Sequence, residues 1–253
     1  MDINLKDKLA VVTGGSGKLG RVICRVLAEC GADVVVHYHR NEAQAAKVVD
    51  EVLARGVRCI SVQADIGDEG SVQAMRTRIE SELGIPDIIV NNAVGQYAWK
   101  DVLHQPAADY EGQFRSCVLQ NVLMAQAFVP GMIGKRRGRI IAINTECSML
   151  NLPNQSAYVS GKRGMDGVLR VLAKEIGEHQ ITVNQVAPGW MISDKYRATG
   201  EERQPAYEQN IPLRHRGQDQ DIANAVAFLA SDLAAFISGA YLPVCGGNVM
   251  PTI

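Results

Sequence analysis

Short apolar runs alternate with longer segments of helical periodicity along the chain. Six runs have the length of buried strands: residues 9–13, 33–38, 59–65, 87–93, 138–145 and 181–188. They carry little polar alternation, which is typical of strands covered on both faces in a parallel sheet. The segments between them place apolar residues three and four apart, and we predict helices at 21–30, 42–54 and 156–177. This order predicts an α/β fold: a doubly wound domain whose central parallel sheet is flanked by helices.

The length of 253 residues suits one domain, so we expect a single domain over 1–253. Polar residues and a glycine crowd residues 192–209, where we expect a flexible lid over a substrate. The basic run Lys135, Arg136, Arg137 and Arg139 is interpreted as a solvated turn before a strand. The formal net charge of −1 gives no reason to expect nucleic-acid binding.

The N-terminal residues lack a signal-peptide pattern, and no apolar stretch approaches the length of a membrane span. Six scattered cysteines without a CxxC pair are typical of reduced thiols in a cytoplasmic protein. His37 and His39 alternate on one strand, but no third ligand accompanies them, so we predict no metal site.

A glycine-rich turn, TGGSGKLG at residues 13–20, joins the first strand to the first predicted helix. Glycines allow a tight turn and a close approach to a pyrophosphate, and the helix N-terminus adds free N–H groups and partial positive charge. A tight turn without a ligand would look similar in isolation. Its place between the first strand and the first helix favours a dinucleotide site.

The end of the second strand, HYHRN at residues 37–41, indicates which dinucleotide would bind. Enzymes that use NAD place an acidic residue there to bond the ribose 2′-hydroxyl. No carboxylate is present here, whereas Arg40 would attract a 2′-phosphate and Lys18 would face the same group. The sequence therefore predicts NADP(H), unless both cations are merely solvated.

Tyr158 and Lys162 stand four residues apart at the start of a predicted long helix, and so share one of its faces. A neighbouring ammonium favours the phenolate, so we expect the pKa of Tyr158 to be lowered. The phenol would donate a proton to a carbonyl oxygen as hydride arrives, or accept one in the reverse reaction. A Tyr–Lys pair is usually a surface pair, and only its position after a buried strand favours catalysis.

The glycine turn resembles the TGxxxGxG motif of the short-chain dehydrogenase/reductase family, with Lys18 in place of the middle glycine. The sequences NNAV (91–94), YVSGK (158–162) and APGWMIS (187–193) also resemble family segments, and the resemblance spans about residues 5–248. It implies a Rossmann-type domain, a dimer or tetramer, and a serine position thirteen residues before the tyrosine, here Thr145. The family's catalytic asparagine falls at Cys117, one helical turn before Asn121.

The resemblance also implies the cofactor contacts. Asp65 would bond the adenine, residues 91–94 would back the cofactor, and the segment 188–193 would touch the nicotinamide amide. The predicted catalytic residues are Tyr158, Lys162 and Thr145. Besides Tyr158 and Lys162, the predicted cofactor-binding residues are Gly14, Ser16, Gly17, Lys18, Leu19, Gly20, His39, Arg40, Asn41, Asp65, Ile66, Asn92, Ala93, Val94, Pro188, Gly189, Met191 and Ser193.

Overall similarity favours 3-oxoacyl-carrier-protein reductases, and this resemblance places Arg136 and Lys174 at carrier-docking positions. We therefore expect a carbonyl reductase or alcohol dehydrogenase acting on a small carbonyl substrate, which a carrier protein could hold. Lys18 and residues 37–40 resemble pteridine reductases, so reduction of a pterin-like ring, stacked on Tyr97 or Trp99, is a second hypothesis. The changes at Cys117 and Thr145 leave a third: a catalytically weak NADP(H)-binding sensor or structural protein. Glu146 and Cys147 are candidates to line the substrate pocket.

Overall fold

A computed structural model describes residues 2–251, which build one sheet of seven parallel strands in the order β3-β2-β1-β4-β5-β6-β7. The doubly wound parallel sheet predicted from the sequence is confirmed. The strands are β1 (Leu9–Val12), β2 (Asp33–Tyr38), β3 (Cys59–Gln63), β4 (Ile88–Asn91), β5 (Gly138–Ile143), β6 (Ile181–Pro188) and β7 (Tyr241–Val244).

The edge strand β7 is absent from the six strands predicted. It has four residues, all only partly buried, and includes Pro243. Proline cannot donate to a sheet ladder and is tolerated at a sheet edge, which is where β7 lies beside β6. The apolar pattern of so short a strand is too weak to reveal it.

Helices cover both faces of the sheet. They are α1 (Lys18–Glu29), α2 (Glu42–Leu53), α3 (Glu69–Glu82), α4 (Ala107–Gln113), α5 (Gln120–Lys135), α6 (Cys147–Leu150), α7 (Ser156–Ile176), α8 (Asp194–Thr199), α9 (Pro205–Glu208) and α10 (Asp219–Ala230). Short 3-10 turns lie at Gly177–His179 and Asp232–Ala234.

Successive strand residues belong to opposite cores, as the pleat of a strand requires. Val34 and Val36 of β2 pack in the core formed with α1, α2 and α10, whereas Val35 packs in the core formed with α3, α5 and α7. Both faces of the strands are therefore apolar, which explains the continuous apolar runs in the sequence.

The strand order reverses between β1 and β4, which lie side by side although β2 follows β1 in the chain. In such sheets, ligands bind outside the carboxyl ends of the strands at this reversal. The glycine turn after β1, the residues after β4 and the end of β5 all meet there. The fold thus brings the predicted site residues to one edge of the sheet.

The basic run at the end of α5 was predicted to be a solvated turn, and Lys135, Arg136 and Arg137 are exposed, although two of them also pair with an acid; the prediction was wrong for Arg139. Lys135 Nζ and Arg137 Nη2 each lie 2.6 Å from Asp87 Oδ1, and the other Asp87 oxygen accepts the N–H of Leu9. Arg139 is buried and bonds Asp232. The sequence could not show this because Asp87 lies about fifty residues away.

A π-helical segment, Phe114–Leu119, joins α4 to α5 in one continuous helical stretch, Ala107–Lys135. This stretch passes a length-and-hydropathy test for a membrane span, contrary to our sequence reading. However, 56% of its most apolar window is buried, and Leu123, Met124 and Phe128 lie in the protein core. Such burial is typical of a core helix in a globular protein.

The candidate lid, residues 192–209, contains the short helices α8 and α9. Arg216 anchors its surroundings: its guanidinium donates to Met191 O at 2.8 Å and to Glu202 O at 3.0 Å. The same group lies 4.4 Å from the ring centre of Tyr196 and 4.8 Å from that of Trp190. One buried cation therefore ties together both sides of the segment.

Candidate active site

The glycine turn has the shape that a dinucleotide phosphate needs. Gly14 has φ of +62°, in the left-handed region that favours glycine. A Cβ on Gly20 would lie 2.1 Å from Gly14 O, so the start of α1 presses directly against the turn. No side chain caps the first turn of α1, and that turn contains no acidic residue. Its N–H groups and partial positive charge therefore suit a bound anion.

His37 supports this turn from below. Its Nδ1 accepts the N–H of Gly14 at 2.9 Å, so its Nε2 must carry the proton that it shares with Ala64 O at 3.0 Å. Both ring nitrogens are therefore occupied, which rules out the metal-ligand interpretation for His37. Burial lowers the pKa of His37 to about 4, which preserves the neutral ring that this pair of bonds requires.

Acidification is expected to destabilise the protein through His37. Its pKa lies near 6.5 in an unfolded chain and near 4 in the fold, so the unfolded chain binds more protons between these values. The contribution is fully present above pH 6.5 and is lost progressively as pH falls towards 4. Between pH 7.5 and pH 5 we expect a loss of about 2 kcal/mol in the free energy of unfolding.

Urea unfolding at these two pH values measures the loss. His37→Gln lacks the titrating ring and should show a smaller pH dependence than the parent. His104→Gln, on an exposed side chain, should match the parent. Equal pH dependence in the parent and His37→Gln would contradict this explanation.

The residues predicted to select NADP(H) lie at the carboxyl end of β2 and the start of α1. His39, Arg40 and Asn41 are exposed, and Asn41 caps α2 by accepting the N–H of Gln44 at 3.0 Å. Within residues 2–251, neither Arg40 nor Lys18 has a hydrogen-bond or ion-pair partner. Both cations are thus available to an anionic ligand, and these residues fit a cofactor that carries a 2′-phosphate.

The residues after β4 form the back of the same site. Asn92 Nδ2 donates to Thr13 O at 2.9 Å, and the Thr13 hydroxyl oxygen accepts the N–H groups of Asn92 and Ala93. Gln120 accepts the Thr13 hydroxyl proton at 2.7 Å and donates to Ala93 O at 3.0 Å. Sequence reasoning missed Gln120, because its partners lie 107 and 27 residues away.

Two further predicted cofactor residues follow β3. Asp65 is exposed, and its Oδ1 accepts the N–H of Gly67 at 2.9 Å. Ile66 is buried beside it. Val94 packs partly buried against the core that contains α5. One oxygen of Asp65 thus holds its own turn, which leaves the carboxylate fixed in orientation at the sheet edge.

Tyr158 and Lys162 lie on the first turns of α7, and the structure places them together. Lys162 Nζ is 5.7 Å from the Tyr158 ring centre and donates to Ile143 O, at the end of β5, at 2.5 Å. Lys162 is 3% exposed, and its burial lowers the pKa of the ammonium. Asn144 Nδ2 donates to Lys162 O and to Gln185 Oε1, which fastens α7 to β5 and β6.

The prediction that Lys162 lowers the pKa of Tyr158 was wrong. Burial raises the pKa of the Tyr158 hydroxyl well above its usual value, and the nearby thiols of Cys147 and Cys117 add to this effect. The Thr145 side chain acts in the opposite direction through hydrogen bonding. Tyr158 is therefore held as the neutral phenol, the form that donates a proton.

Two aromatic residues after β4 support Tyr158. Tyr97 Oη accepts the Tyr158 N–H at 2.7 Å, and the Trp99 ring stacks on the Tyr158 ring at 6.1 Å and 25°. We expected them to stack on a substrate ring or pack against the lid. Instead, each contacts the tyrosine itself, and Trp99 remains 51% exposed at the mouth of the site.

Cys117 lies in the π-helical segment and is buried. Burial raises the pKa of its thiol, although the Lys162 charge opposes the shift. A thiol held in the neutral form is a poor nucleophile. Asn121, one turn later, donates to Cys117 O and accepts from Asn91, so its amide is used within the helix and β4.

The segment from Pro188 to Ser193 begins at the last residue of β6 and contacts the residues after β5. Pro188 O accepts the N–H of Glu146 at 2.9 Å, and Gly189 N donates to Val244 O of β7 at 3.0 Å. A Cβ on Gly189 would lie 2.8 Å from Tyr207 Oη and 3.1 Å from Cys245 Cα, so a side chain there would displace the Tyr207 hydroxyl. Ser193 is the N-cap residue of α8. Sequence reasoning did not identify Tyr207, which reaches this segment from the candidate lid.

Comparisons with known proteins agree with this geometry. A family model described as "Enoyl-(Acyl carrier protein) reductase" matches residues 16–248. The chain is 37% identical to 3-oxoacyl-[acyl-carrier-protein] reductase FabG of Staphylococcus aureus, over 96% of this chain and 98% of that protein. It is 34% identical to the FabG protein of Escherichia coli strain K12, over 98% and 100% respectively.

Two solved structures are similar to the whole chain. A 7α-hydroxysteroid dehydrogenase complexed with NADH and 7-oxo glycochenodeoxycholic acid has a TM-score of 0.89 and 33% identity, covering 99% of this chain and 97% of its own. The promiscuous reductase LugOII, which catalyses keto-reduction at C1 during lugdunomycin biosynthesis, has a TM-score of 0.89 and 30% identity, with coverage of 98% and 100%. The fold, the site and these matches over nearly the full length agree, and the chain belongs to the short-chain dehydrogenase/reductase family of nicotinamide-dependent oxidoreductases.

Proposed function

We propose that this protein reduces a carbonyl group to an alcohol with NADPH, with Tyr158 as the proton donor. The single observation that carries the proposal is the placement of a neutral phenol beside a buried lysine and the Thr145 side chain at the carboxyl edge of the sheet. When bound, the cofactor supplies hydride. The chain's own residues must then bind the carbonyl oxygen and deliver one proton to it.

The roles of the three residues follow from their chemistry. Tyr158 donates its hydroxyl proton to the carbonyl oxygen as the carbon gains hydride, and the phenolate is reprotonated from water. Thr145, a hydroxyl in the family's serine position, orients the same oxygen. Lys162, with its charge buried beside the ring, stabilises the phenolate that remains. The reverse reaction, alcohol oxidation, uses the same groups with Tyr158 as base.

We also propose NADP(H) rather than NAD(H) as the cofactor. The similar hydroxysteroid dehydrogenase was solved with NADH, so family membership alone does not decide the matter. Arg40, which makes no hydrogen bond or ion pair within residues 2–251, supports a 2′-phosphate ligand, and Lys18 adds positive charge there although it also acts on Asp219. No carboxylate ends β2, so nothing there opposes that phosphate.

The names of the relatives and the contacts around Tyr158 support a ketone as the substrate class. Two relatives are named as 3-oxoacyl-carrier-protein reductases and a third protein catalyses a keto-reduction, which supports a ketone. These matches favour an oxidoreductase over a sensor or structural protein.

The pterin hypothesis loses its main support. The Trp99 ring stacks on the Tyr158 ring and the Tyr97 hydroxyl accepts the Tyr158 N–H, so both aromatic residues contact the tyrosine rather than a ligand ring.

A carrier-bound 3-oxoacyl thioester is the specific ketone that we propose. Arg136 donates to Glu178 O at 3.0 Å, and Lys174 is exposed near the C-terminal end of α7. Lys174 lies sixteen positions after Tyr158 on α7, a span of about 24 Å. A carrier protein docked on these cations would therefore present its substrate from the opposite edge of the sheet, along α7 or from a neighbouring subunit.

Further proposals concern the whole protein. We propose that residues 1–253 form one domain. We also propose that residues 192–209 form a lid over the substrate, since they adjoin the segment 188–193 that is proposed to touch the nicotinamide. We propose a homodimer or homotetramer built partly on α7: beside it lies an open cavity of about 490 Å³ lined by Tyr110, Phe114 and Gly161. All six cysteines are free thiols, which supports a reducing, cytoplasmic location.

A spectrophotometric assay tests the proposed function. We expect the protein to oxidise NADPH with a 3-oxoacyl thioester, and faster when a carrier protein holds the acyl group than when a small thiol does. The double substitution Arg136→Glu and Lys174→Glu should lower the rate with the carrier-bound substrate about tenfold. The rate with the small thioester should not change. The proposal would be overturned if the protein bound NADPH but reduced no ketone.

A further inference from the structure

Glu146 is a buried carboxylate immediately after Thr145, at the end of β5. It is 3% exposed, and both of its oxygens are hydrogen-bonded. Tyr207 Oη donates to Oε1 at 2.5 Å, and Asn248 Nδ2 donates to Oε2 at 3.0 Å. A buried carboxylate is costly unless its oxygens are bonded. Here the two donors come from segments 61 and 102 residues away, so Glu146 joins three distant parts of the chain.

The Tyr207 hydroxyl is held on two further sides. It accepts the N–H of Trp190 at 2.8 Å, and its oxygen lies 2.8 Å from the place that a Cβ on Gly189 would take. The Tyr207 and Trp190 rings meet edge to face, with centres 5.4 Å apart. A chain of hydrogen bonds therefore runs from the Trp190 N–H through the Tyr207 hydroxyl to the Glu146 carboxylate.

Glu146 also reaches the same segment through its backbone. Its N–H donates to Pro188 O at 2.9 Å, so its backbone holds one end of the Pro188–Trp190 segment while its side chain, through Tyr207, holds the other. Asn248 follows β7, whose Val244 O accepts the Gly189 N–H. Hydrogen bonds from the residues after β5, from the candidate lid and from β7 thus hold the segment that is proposed to touch the nicotinamide.

We propose that Glu146 is a positioning residue that couples the candidate lid to the nicotinamide segment, through the Tyr207 hydroxyl on one side and its own amide on the other. This inference rests on the proposed function, because the segment matters only where a nicotinamide and a ketone must be aligned. The hydrogen bonds of the Glu146 side chain go to Tyr207 and Asn248, so we assign it no contact with the reacting atoms. It holds the groups that set their distance, and small misplacements of such groups reduce rates strongly.

The chemistry of the two donors predicts which substitutions are tolerated. Glu146→Gln keeps the shape and one acceptor oxygen for Tyr207, and the Asn248 amide can rotate to accept from the new NH₂ group. Glu146→Ala leaves the Tyr207 hydroxyl and the Asn248 amide without their acceptor. Tyr207→Phe removes only the hydroxyl bridge and keeps the ring against Trp190.

The test compares Glu146→Ala, Tyr207→Phe, their double variant and Glu146→Gln with the parent enzyme. We expect each of the first two to lower kcat about tenfold and to change the Kd for NADPH less than threefold, since the adenosine contacts lie elsewhere. The double variant should be no worse than the poorer single variant, because both changes break one chain of bonds. Glu146→Gln should recover kcat to within threefold of the parent.

A second readout needs neither cofactor nor substrate. Hydrogen–deuterium exchange of peptides covering residues 188–209 should speed up at least fivefold in Glu146→Ala and Tyr207→Phe, because the Trp190 amide loses its acceptor or that acceptor loses its anchor. Glu202→Ala is the matched control. It removes an exposed carboxylate from the same candidate lid but keeps the backbone carbonyl that Arg216 bonds, so exchange and kcat should stay at the parent level.

The outcomes separate this inference from the proposed function. The coupling would be overturned if exchange and kcat were unchanged in Glu146→Ala. It would also be overturned if the loss of kcat in the double variant equalled the product of the losses in the two single variants. Equal losses in Glu146→Gln and Glu146→Ala would also overturn it. If the parent turns over no ketone while exchange rises as expected, the coupling stands and the proposed reaction fails.

Discussion

Replacing Tyr158 by Phe should lower kcat for ketone reduction about 10³-fold while leaving NADPH binding within threefold of the parent. The hydroxyl is the proposed proton donor, and a positioned general acid contributes roughly 10²- to 10⁴-fold. The phenylalanine ring keeps the stacking contact with Trp99, and the backbone N–H still reaches Tyr97 Oη, so the local structure should persist. Single-turnover measurements with saturating NADPH report the effect on the chemical step directly.

Tyr110→Phe is a suitable control for this variant. It removes another tyrosine hydroxyl, hydrogen-bonded to Ser156 Oγ at 2.7 Å, and should keep at least a third of the parent kcat. If Tyr158→Phe retained more than a tenth of the parent kcat, proton donation would have to come from another group. If it failed to bind NADPH, the loss of rate would say nothing about the proton.

Arg40→Asp should reverse the cofactor preference. Losing a guanidinium–phosphate contact costs about tenfold or more, and a carboxylate in its place repels the same phosphate, so the Kd for NADPH should rise roughly 100-fold. The same carboxylate can accept the ribose 2′-hydroxyl of NADH, so the Kd for NADH should fall or stay constant. Titrating each nucleotide against protein fluorescence measures both constants.

Lys47→Asp serves as the charge-matched control, because it makes the same charge change on the exposed surface of α2. It should weaken NADPH binding less than threefold at physiological salt, where screening limits the effect of distant charges. A parent protein that binds NADH more tightly than NADPH would contradict the assignment of Arg40. If both substitutions weakened NADPH binding equally, the effect of Arg40 would be one of overall charge rather than of a direct contact with the phosphate.

The parts of the fold that could be predicted were those with local signals. Apolar runs located six of seven strands, and helical periodicity located α1, α2 and α7 within three residues of their observed starts. The glycine turn and Arg40 could be assigned to a dinucleotide site from their places after β1 and β2, whereas Asp65 and Asn92 were assigned to it only by the resemblance to the family. Among the strands, β7 was missed because it is short and at the edge and left too weak a pattern.

The support of the site could not be predicted, because it depends on partners far apart in the chain. Nothing near His37 indicates that it holds Gly14, and nothing near Tyr97 indicates that its hydroxyl holds Tyr158. The pKa of Tyr158 is the clearest case. Spacing on a helix predicted the influence of Lys162, but the burial that raises the pKa comes from residues packed around the ring in three dimensions.

The π-helical segment Phe114–Leu119 gives this region an unusual tolerance of a shorter chain. A π-turn accommodates one residue more than an α-turn, so removing one residue within it would restore a regular helix rather than break it. Because the extra residue lies within one turn, α4 would keep its orientation relative to α5 after this deletion. Removing one residue from the α-helical turns of α5 would instead rotate α4 by about 100° relative to the rest of α5. Tyr110 would then turn away from Ser156, and Gln113 from Gly95, whose carbonyl it now bonds. The π-helical segment is thus the part of this stretch where the loss of one residue would leave α4 packed against α7.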